Sequence, residues 1–301
     1  MRADPSGHAA KNSAKATALA ICIGILTITA GLVPAHAAPD EDDCKGPTDD
    51  CVAVGRWNFS VALGAGVRTN PLVNGKAIPL VVIPQFSYYA KRFFIDNLDL
   101  GVTLADSATN TLNLIATPGY DRVYFYRTDL QNLFVGFPIS GENVVASRPF
   151  LVSAGTPGAI KVPRPAPRIT YLGGAEWTFK YAGVSGQLDL LRDITGQNNG
   201  DEIRAALGIP LIRSTGTWSA NIGFTWKSAR LVNYYYGVPA IYAGSSALDP
   251  FVKLGYTVPL AGKWRFEAFA EYERLANAIA DSPIVSEHHV ETVFVGAIRT
   301  F

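Results

Sequence analysis

Charge is scarce in this chain. Of its 301 residues 17% are charged, against about 25% in ordinary soluble domains, while 48% are hydrophobic. Lysine and arginine total 26, aspartate and glutamate 25. That balance supplies no basic stripe and argues against a nucleic-acid partner. Cysteine (3) and histidine (4) are both rare, and two cysteines, Cys44 and Cys51, with no histidine near them make a poor structural zinc site, which takes four N/S ligands. No glycine-rich phosphate loop is found, no cofactor motif appears, and outside the acidic segment at residues 38–55 the residues suggest no metal site. Long apolar runs are missing too. Beyond residue 37 none reaches the roughly 18 residues that a membrane-spanning helix requires. Yet the mean hydropathy is +0.14, so apolar character must be spread over many short segments.

The one long apolar stretch, Ala18 to Val33, stands near the N-terminus behind Lys11 and Lys15 and ends at Pro34, Ala35, His36 and Ala37. A basic n-region, an apolar h-region and an A-x-A site together predict a secretory signal peptide over residues 1–37, cut between Ala37 and Ala38. An uncleaved anchor helix is the alternative. Cys22 lies inside the apolar stretch rather than after it, which is not the place of a lipoprotein anchor. Residues 38–55 are acidic, with Asp40, Glu41, Asp42, Asp43, Asp49 and Asp50 against Lys45. They read as a solvated tail; a divalent-cation site among these carboxylates is the sharper alternative. Cys44 and Cys51 remain after cleavage, and an even pair in an oxidising compartment predicts a disulfide.

From residue 56 to 301 the pattern is alternation. Trp57, Phe59, Val61, Leu63, Ala65 and Val67 share one face of a strand-like run whose other face carries Asn58, Ser60, Ala62, Gly64 and Gly66. The runs Asp201–Ile212, Trp218–Lys227 and Trp264–Tyr272 repeat it, with Glu202, Arg204, Arg265, Glu267 and Glu271 on the inner faces, where they are expected to pair with one another. When helices are excluded, a closed barrel is the other structure that satisfies every backbone group in a bilayer. Apolar-out, small-or-polar-in alternation is its signature. Eleven candidate strands can be assigned. Bacterial barrels have even numbers, so the sequence predicts an all-β, transmembrane antiparallel up-and-down barrel of ten or twelve strands in the outer membrane, with a hidden strand expected within Arg122–Gly155.

A soluble sandwich or barrel would alternate as well. Against it stand the aromatics at strand ends (Trp57, Tyr88, Tyr120, Trp218, Trp226, Trp264 and Tyr272), as in membrane girdles, and the terminal Phe301. One residue breaks the final strand's pattern: Arg299 stands where an apolar side chain is expected.

Several segments resemble the MipA/OmpV family. These are Pro84 to Leu98 with Gly101, which holds Tyr88, Tyr89, Arg92, Phe93 and Phe94; Pro118-Gly119-Tyr120-Asp121; Asp189 to Asp201; and Asn233 to Val238, with Tyr234, Tyr235 and Tyr236. The likeness runs from about Arg56 to Phe301, departing at Thr128 to Pro167 and at Arg299. The resemblance implies a noncatalytic outer-membrane scaffold. It would bring a periplasmic lytic transglycosylase together with a bifunctional murein synthase, without cofactor or catalytic residues.

Candidate partner contacts are therefore Arg92 and Phe93, at a turn, and the Tyr234–Tyr236 triplet, since tyrosines give large contact area at low entropic cost. Packing against the barrel rim is the plainer reading of both. A small solute channel is the competing function, because lumen charges tune selectivity. A membrane-embedded lipid hydrolase would need Ser286 paired with His288, and a solvated loop is the simpler account of that segment.

Overall fold

The computed structural model describes residues 54–126, 167–213 and 216–301. Within them twelve antiparallel strands close into one barrel, each pairing with its neighbours in sequence and the last with the first. They are β1 (Trp57–Arg68), β2 (Ile78–Tyr89), β3 (Phe93–Asp96), β4 (Asp99–Asp106), β5 (Asn110–Pro118), β6 (Tyr171–Tyr181), β7 (Val184–Asp193), β8 (Asp201–Arg213), β9 (Thr217–Lys227), β10 (Ala247–Pro259), β11 (Trp264–Arg274) and β12 (His289–Thr300). A 3₁₀ turn, Tyr120–Tyr124, follows β5. Helix α1 (Ala229–Tyr236) joins β9 to β10, and a one-turn helix α2 (Asn277–Ala280) joins β11 to β12.

The alternation decides which way each strand faces. On β1 Trp57, Phe59 and Leu63 are about half exposed, whereas Ser60 and Ala62 are sealed inside. Ile222, in the middle of β9, is 57% exposed. Leu114, Leu190, Val252, Leu254, Val293 and Val295 continue the same apolar belt on other strands. In water such a surface would be opposed by roughly 25 cal/mol for each Å² of apolar area. Against hydrocarbon there is no such penalty, and the closed ladder leaves no edge to desolvate. The fold is thus a transmembrane barrel.

Closure sets the two rims. β1 and β12 pair from Ser60↔Thr300 to Arg68↔Thr292, and the Phe301 N–H donates to the Phe59 carbonyl at 2.9 Å. The start of β1 and the end of β12 therefore share one rim, here the terminus rim, with the turns after β2, β4, β6 and β10. The β6–β7 turn is two residues, Ala182-Gly183, both at positive φ (50° and 82°). This is the backbone that a tight hairpin needs and that glycine takes without penalty. The connections after β1, β5, β7, β9 and β11 gather at the opposite, loop rim.

The twelfth strand is not where the sequence placed it. Arg122 to Tyr124 belong to the 3₁₀ turn, and β5 pairs directly with β6, so the twelve described strands close the ladder among themselves. The missing strand is β3, only four residues long. The Asn97 N–H donates to the Phe86 carbonyl (2.8 Å) while its Oδ1 accepts from the Phe86 N–H (3.0 Å). With φ at 53°, Asn97 turns the chain back into β4 partway up the wall. The Phe94 ring lies over Gly101, where a Cβ would overlap it.

Candidate functional site

The loop-rim mouth is stopped by the chain itself. From α1, Leu231, Val232, Tyr235 and Tyr236 are fully buried; Val123 and Tyr124 of the 3₁₀ turn and Ile279 and Ala280 of α2 join them. Helix α1 enters the mouth because its apolar residues fall at i, i+1, i+4 and i+5, one stripe of a helix. Ser228 precedes it in extended conformation; its Oγ accepts from the Asp201 N–H at 2.8 Å and ties the helix start to β8.

Beneath this apolar stopper lies a charged layer. Lys227, the last residue of β9, is buried between Asp121 of the 3₁₀ turn (2.8 Å) and Asp249 of β10 (3.1 Å). The Tyr236 hydroxyl donates to the same Asp121 oxygen at 2.7 Å. Asp249 also accepts from the Ala276 N–H (2.8 Å), and Ser282 donates to the Tyr236 carbonyl (2.6 Å). One lysine thus links the wall, the 3₁₀ turn, α1 and the α2 connection. On the other side Arg68 donates to the Tyr124 hydroxyl and lies 3.8 Å from Glu273. Burial pushes the Tyr124 and Tyr235 phenols above their ordinary range. For Tyr236 burial is the larger cause and the Asp121 carboxylate adds to it. All three phenols stay protonated, and that of Tyr236 donates to Asp121.

Inner-face pairing occurs as expected for Glu202 with Arg204 and for Arg265 with Glu267 (3.8 Å). The Tyr120 ring lies beside the Arg204 guanidinium (5.3 Å). Tyr120 therefore belongs to the mouth and not to the lipid girdle where the sequence placed it, because β5 ends at Pro118. Nearer the terminus rim Phe269 and Phe294 pack ring to ring (5.9 Å), and the Lys253 amine sits over Phe269 at 4.3 Å.

The candidate contacts fall on opposite rims. Arg92 and Phe93 lie at the terminus rim after the β2–β3 turn, where Phe93 is 42% exposed and the Arg92 carbonyl accepts from the Thr103 N–H (2.6 Å). The three tyrosines lie on α1 at the loop rim. Tyr235 and Tyr236 face inward, Tyr235 sharing a 2.8 Å hydrogen bond with Thr170. Tyr234 is half-buried; its hydroxyl accepts from the Arg168 N–H (2.8 Å), and it lines a cavity of about 810 Å³ with Gln197, Pro239, Ile241 and Tyr242.

Ser286 donates to the Pro71 carbonyl at 3.3 Å, and His289 stacks on Tyr272 (5.4 Å) near Glu291. No Ser–His hydrogen bond forms among the described residues. Cys44, Cys51, Ala37, Ala38 and the acidic residues between 40 and 50 lie outside the described residues.

Fold and mouth define a transmembrane β-barrel whose loop-side entrance is filled by its own polypeptide. The chain belongs to the MltA-interacting protein MipA family, whose model matches residues 62–301. The MltA-interacting proteins of Escherichia coli (strain K12) and of Shigella flexneri are each 22% identical to it over 262 residues, covering 83% of this chain and 93% of theirs. Among solved structures it is similar to OmpT, an outer membrane protein of Vibrio cholerae (TM-score 0.31, 9% identity, 81% of this chain and 97% of that one). It is also similar to an anion-selective porin from Comamonas acidovorans (TM-score 0.31, 10% identity, 82% and 99%).

Proposed function

We propose that this protein is a noncatalytic outer-membrane scaffold whose terminus rim faces the periplasm and holds murein-remodelling enzymes there. The family match across residues 62–301 is the observation that carries this reading, together with relatives named MltA-interacting protein. The geometry is compatible in two respects. Arg92 and Phe93 stand on the rim that such enzymes would meet. The filled mouth suits an interaction protein better than an open solute channel. A bifunctional murein synthase is the second proposed partner. In the same reading the leader is removed between Ala37 and Ala38, and Cys44 and Cys51 close a disulfide in the exported chain.

The test is photo-crosslinking in intact cells from a reactive amino acid at Arg92, with one at Tyr234 as the loop-rim comparison. Recovery of a lytic transglycosylase or murein synthase from the Arg92 position alone is the expected outcome. Recovery of neither overturns the scaffold. Steady ion-selective currents from the purified barrel in a planar bilayer would favour the channel instead.

A further inference from the structure

Arg299 is the residue that broke the final strand's apolar pattern. Its neighbour Ile298 is fully buried, so alternation along β12 turns Arg299 outward, onto the lipid face. Among the described outward-facing strand residues in the terminus half of the wall, it is the one charge. The other outward strand charges, Arg192, Asp201, Arg274 and Glu291, lie at the loop rim. Arg192 has Asp201 within 3.2 Å. Arg299 has no carboxylate within ion-pair distance among the described residues.

Its surroundings fix the depth. Arg299 pairs in register with Val61 of β1 and with Trp264, the first residue of β11. The guanidinium carbon lies 5.7 Å from the Trp264 ring centre and 5.1 Å from that of Phe301. Trp57, Tyr88, Trp218 and Tyr256 continue the aromatic belt around the same rim, with Trp57 against Tyr88 at 5.1 Å and Trp218 against Tyr256 at 4.6 Å. Such belts sit at the level of lipid head groups. An arginine there keeps its stem in the apolar layer and its head at the interface. The two rings attract the guanidinium through their faces, while its N–H edges remain open to a planar, bidentate acceptor.

We propose that Arg299, flanked by Trp264 and Phe301, is a binding site for the phosphate of a glycerophospholipid in the leaflet that meets the terminus rim. The counter-charge absent among the described residues is supplied by the membrane. Arginine, rather than lysine, suits the site because its fork matches two phosphate oxygens at once.

The test uses the full-length barrel in nanodiscs of phosphatidylethanolamine with phosphatidylglycerol, released into the gas phase for native mass spectrometry. The wild-type protein is expected to retain one tightly held phospholipid. In R299Q that retention falls about tenfold, while R299K keeps an intermediate level, as loss of a charge-assisted bidentate contact predicts. Heat-modifiable gel migration verifies that each variant is folded. Excess inorganic phosphate should leave the wild-type adduct intact. Displacement by phosphate alone would show a general anion contact and overturn the lipid assignment, as would equal retention in R299Q. Should R299Q fail to fold, a phospholipid with a photoreactive head group decides the matter on the wild-type protein. Crosslinks concentrated on β11 and β12 near Trp264 and Phe301 are expected; labels spread evenly around the rim would overturn the site.

Discussion

Lys227 and Asp121 are 106 positions apart in sequence and 2.8 Å apart in the barrel mouth, both buried. The lysine is also 3.1 Å from Asp249. Removing a single partner from a buried ion pair is more damaging than removing the pair, because the remaining charge keeps its desolvation penalty. Lys227→Met leaves two carboxylates facing each other without a cation. It should destabilise the barrel by about 3–5 kcal/mol, read as a lower urea midpoint for the detergent-folded protein. Adding Asp121→Asn to Lys227→Met should recover part of the loss. A double variant no better than the single one would refute the pairing.

The Tyr236 hydroxyl gives a pH prediction. Its phenol is raised in the folded state by burial and by Asp121. In the unfolded chain it ionises near the ordinary value of about 10. The associated stability is thus fully present below pH ~10 and is lost as pH rises above it, since only the unfolded state then releases the proton. Tyr236→Phe removes the bond to a charged acceptor, worth about 1.5–3 kcal/mol. It should also make the decline above pH ~10 shallower than in the wild type. Parallel stability profiles for the two proteins would contradict this.

How much of this could be read in advance follows from the range of each signal. The lipid face of β1 was legible because Trp57, Phe59 and Leu63 alternate with Ser60 and Ala62 within one segment, and period two is a local property. Strand β3 was not, because Phe93–Asp96 is too short to show a period. Its end depends on Asn97 bonding Phe86 across the wall, which is a tertiary contact. The mouth was hidden for the same reason. Tyr234, Tyr235 and Tyr236 were visible as a cluster, but which of them turns inward is set by helix α1, and Lys227 meets Asp121 only through chain closure. Pairing within one strand, such as Glu202 with Arg204, was foreseeable from i, i+2 spacing alone.

The close approach at Gly101 predicts a compensating pair. A Cβ there overlaps the Phe94 ring, so Gly101→Ala should destabilise the β3–β4 hairpin by about 1–3 kcal/mol, the usual range for overpacking. Phe94→Ala costs packing on its own. Combined with Gly101→Ala it should be less harmful than the two single effects added together, because the clash has gone. Unfolding midpoints for the four proteins close the cycle. Strict additivity would mean that ring and glycine do not interact.

Ile222 tests the solvent of the outer wall most directly. It is the middle residue of β9 and 57% exposed. On a soluble protein an exposed isoleucine can become lysine with little effect, since surface changes usually stay within about 0.5 kcal/mol. At the midplane of a bilayer the same charge costs about 2–4 kcal/mol in a barrel, falling to about 0–1 near the interfaces. Ile222→Lys should therefore sharply weaken reversible folding into phospholipid vesicles. Trp218→Lys, on the same face at the terminus rim, should lose less from the charge itself. The difference between the two positions carries the argument, because loss of an aromatic contact with Tyr256 burdens the rim variant only. If the midplane variant folds as well as the wild type, the half-exposed apolar face of β9 does not meet hydrocarbon.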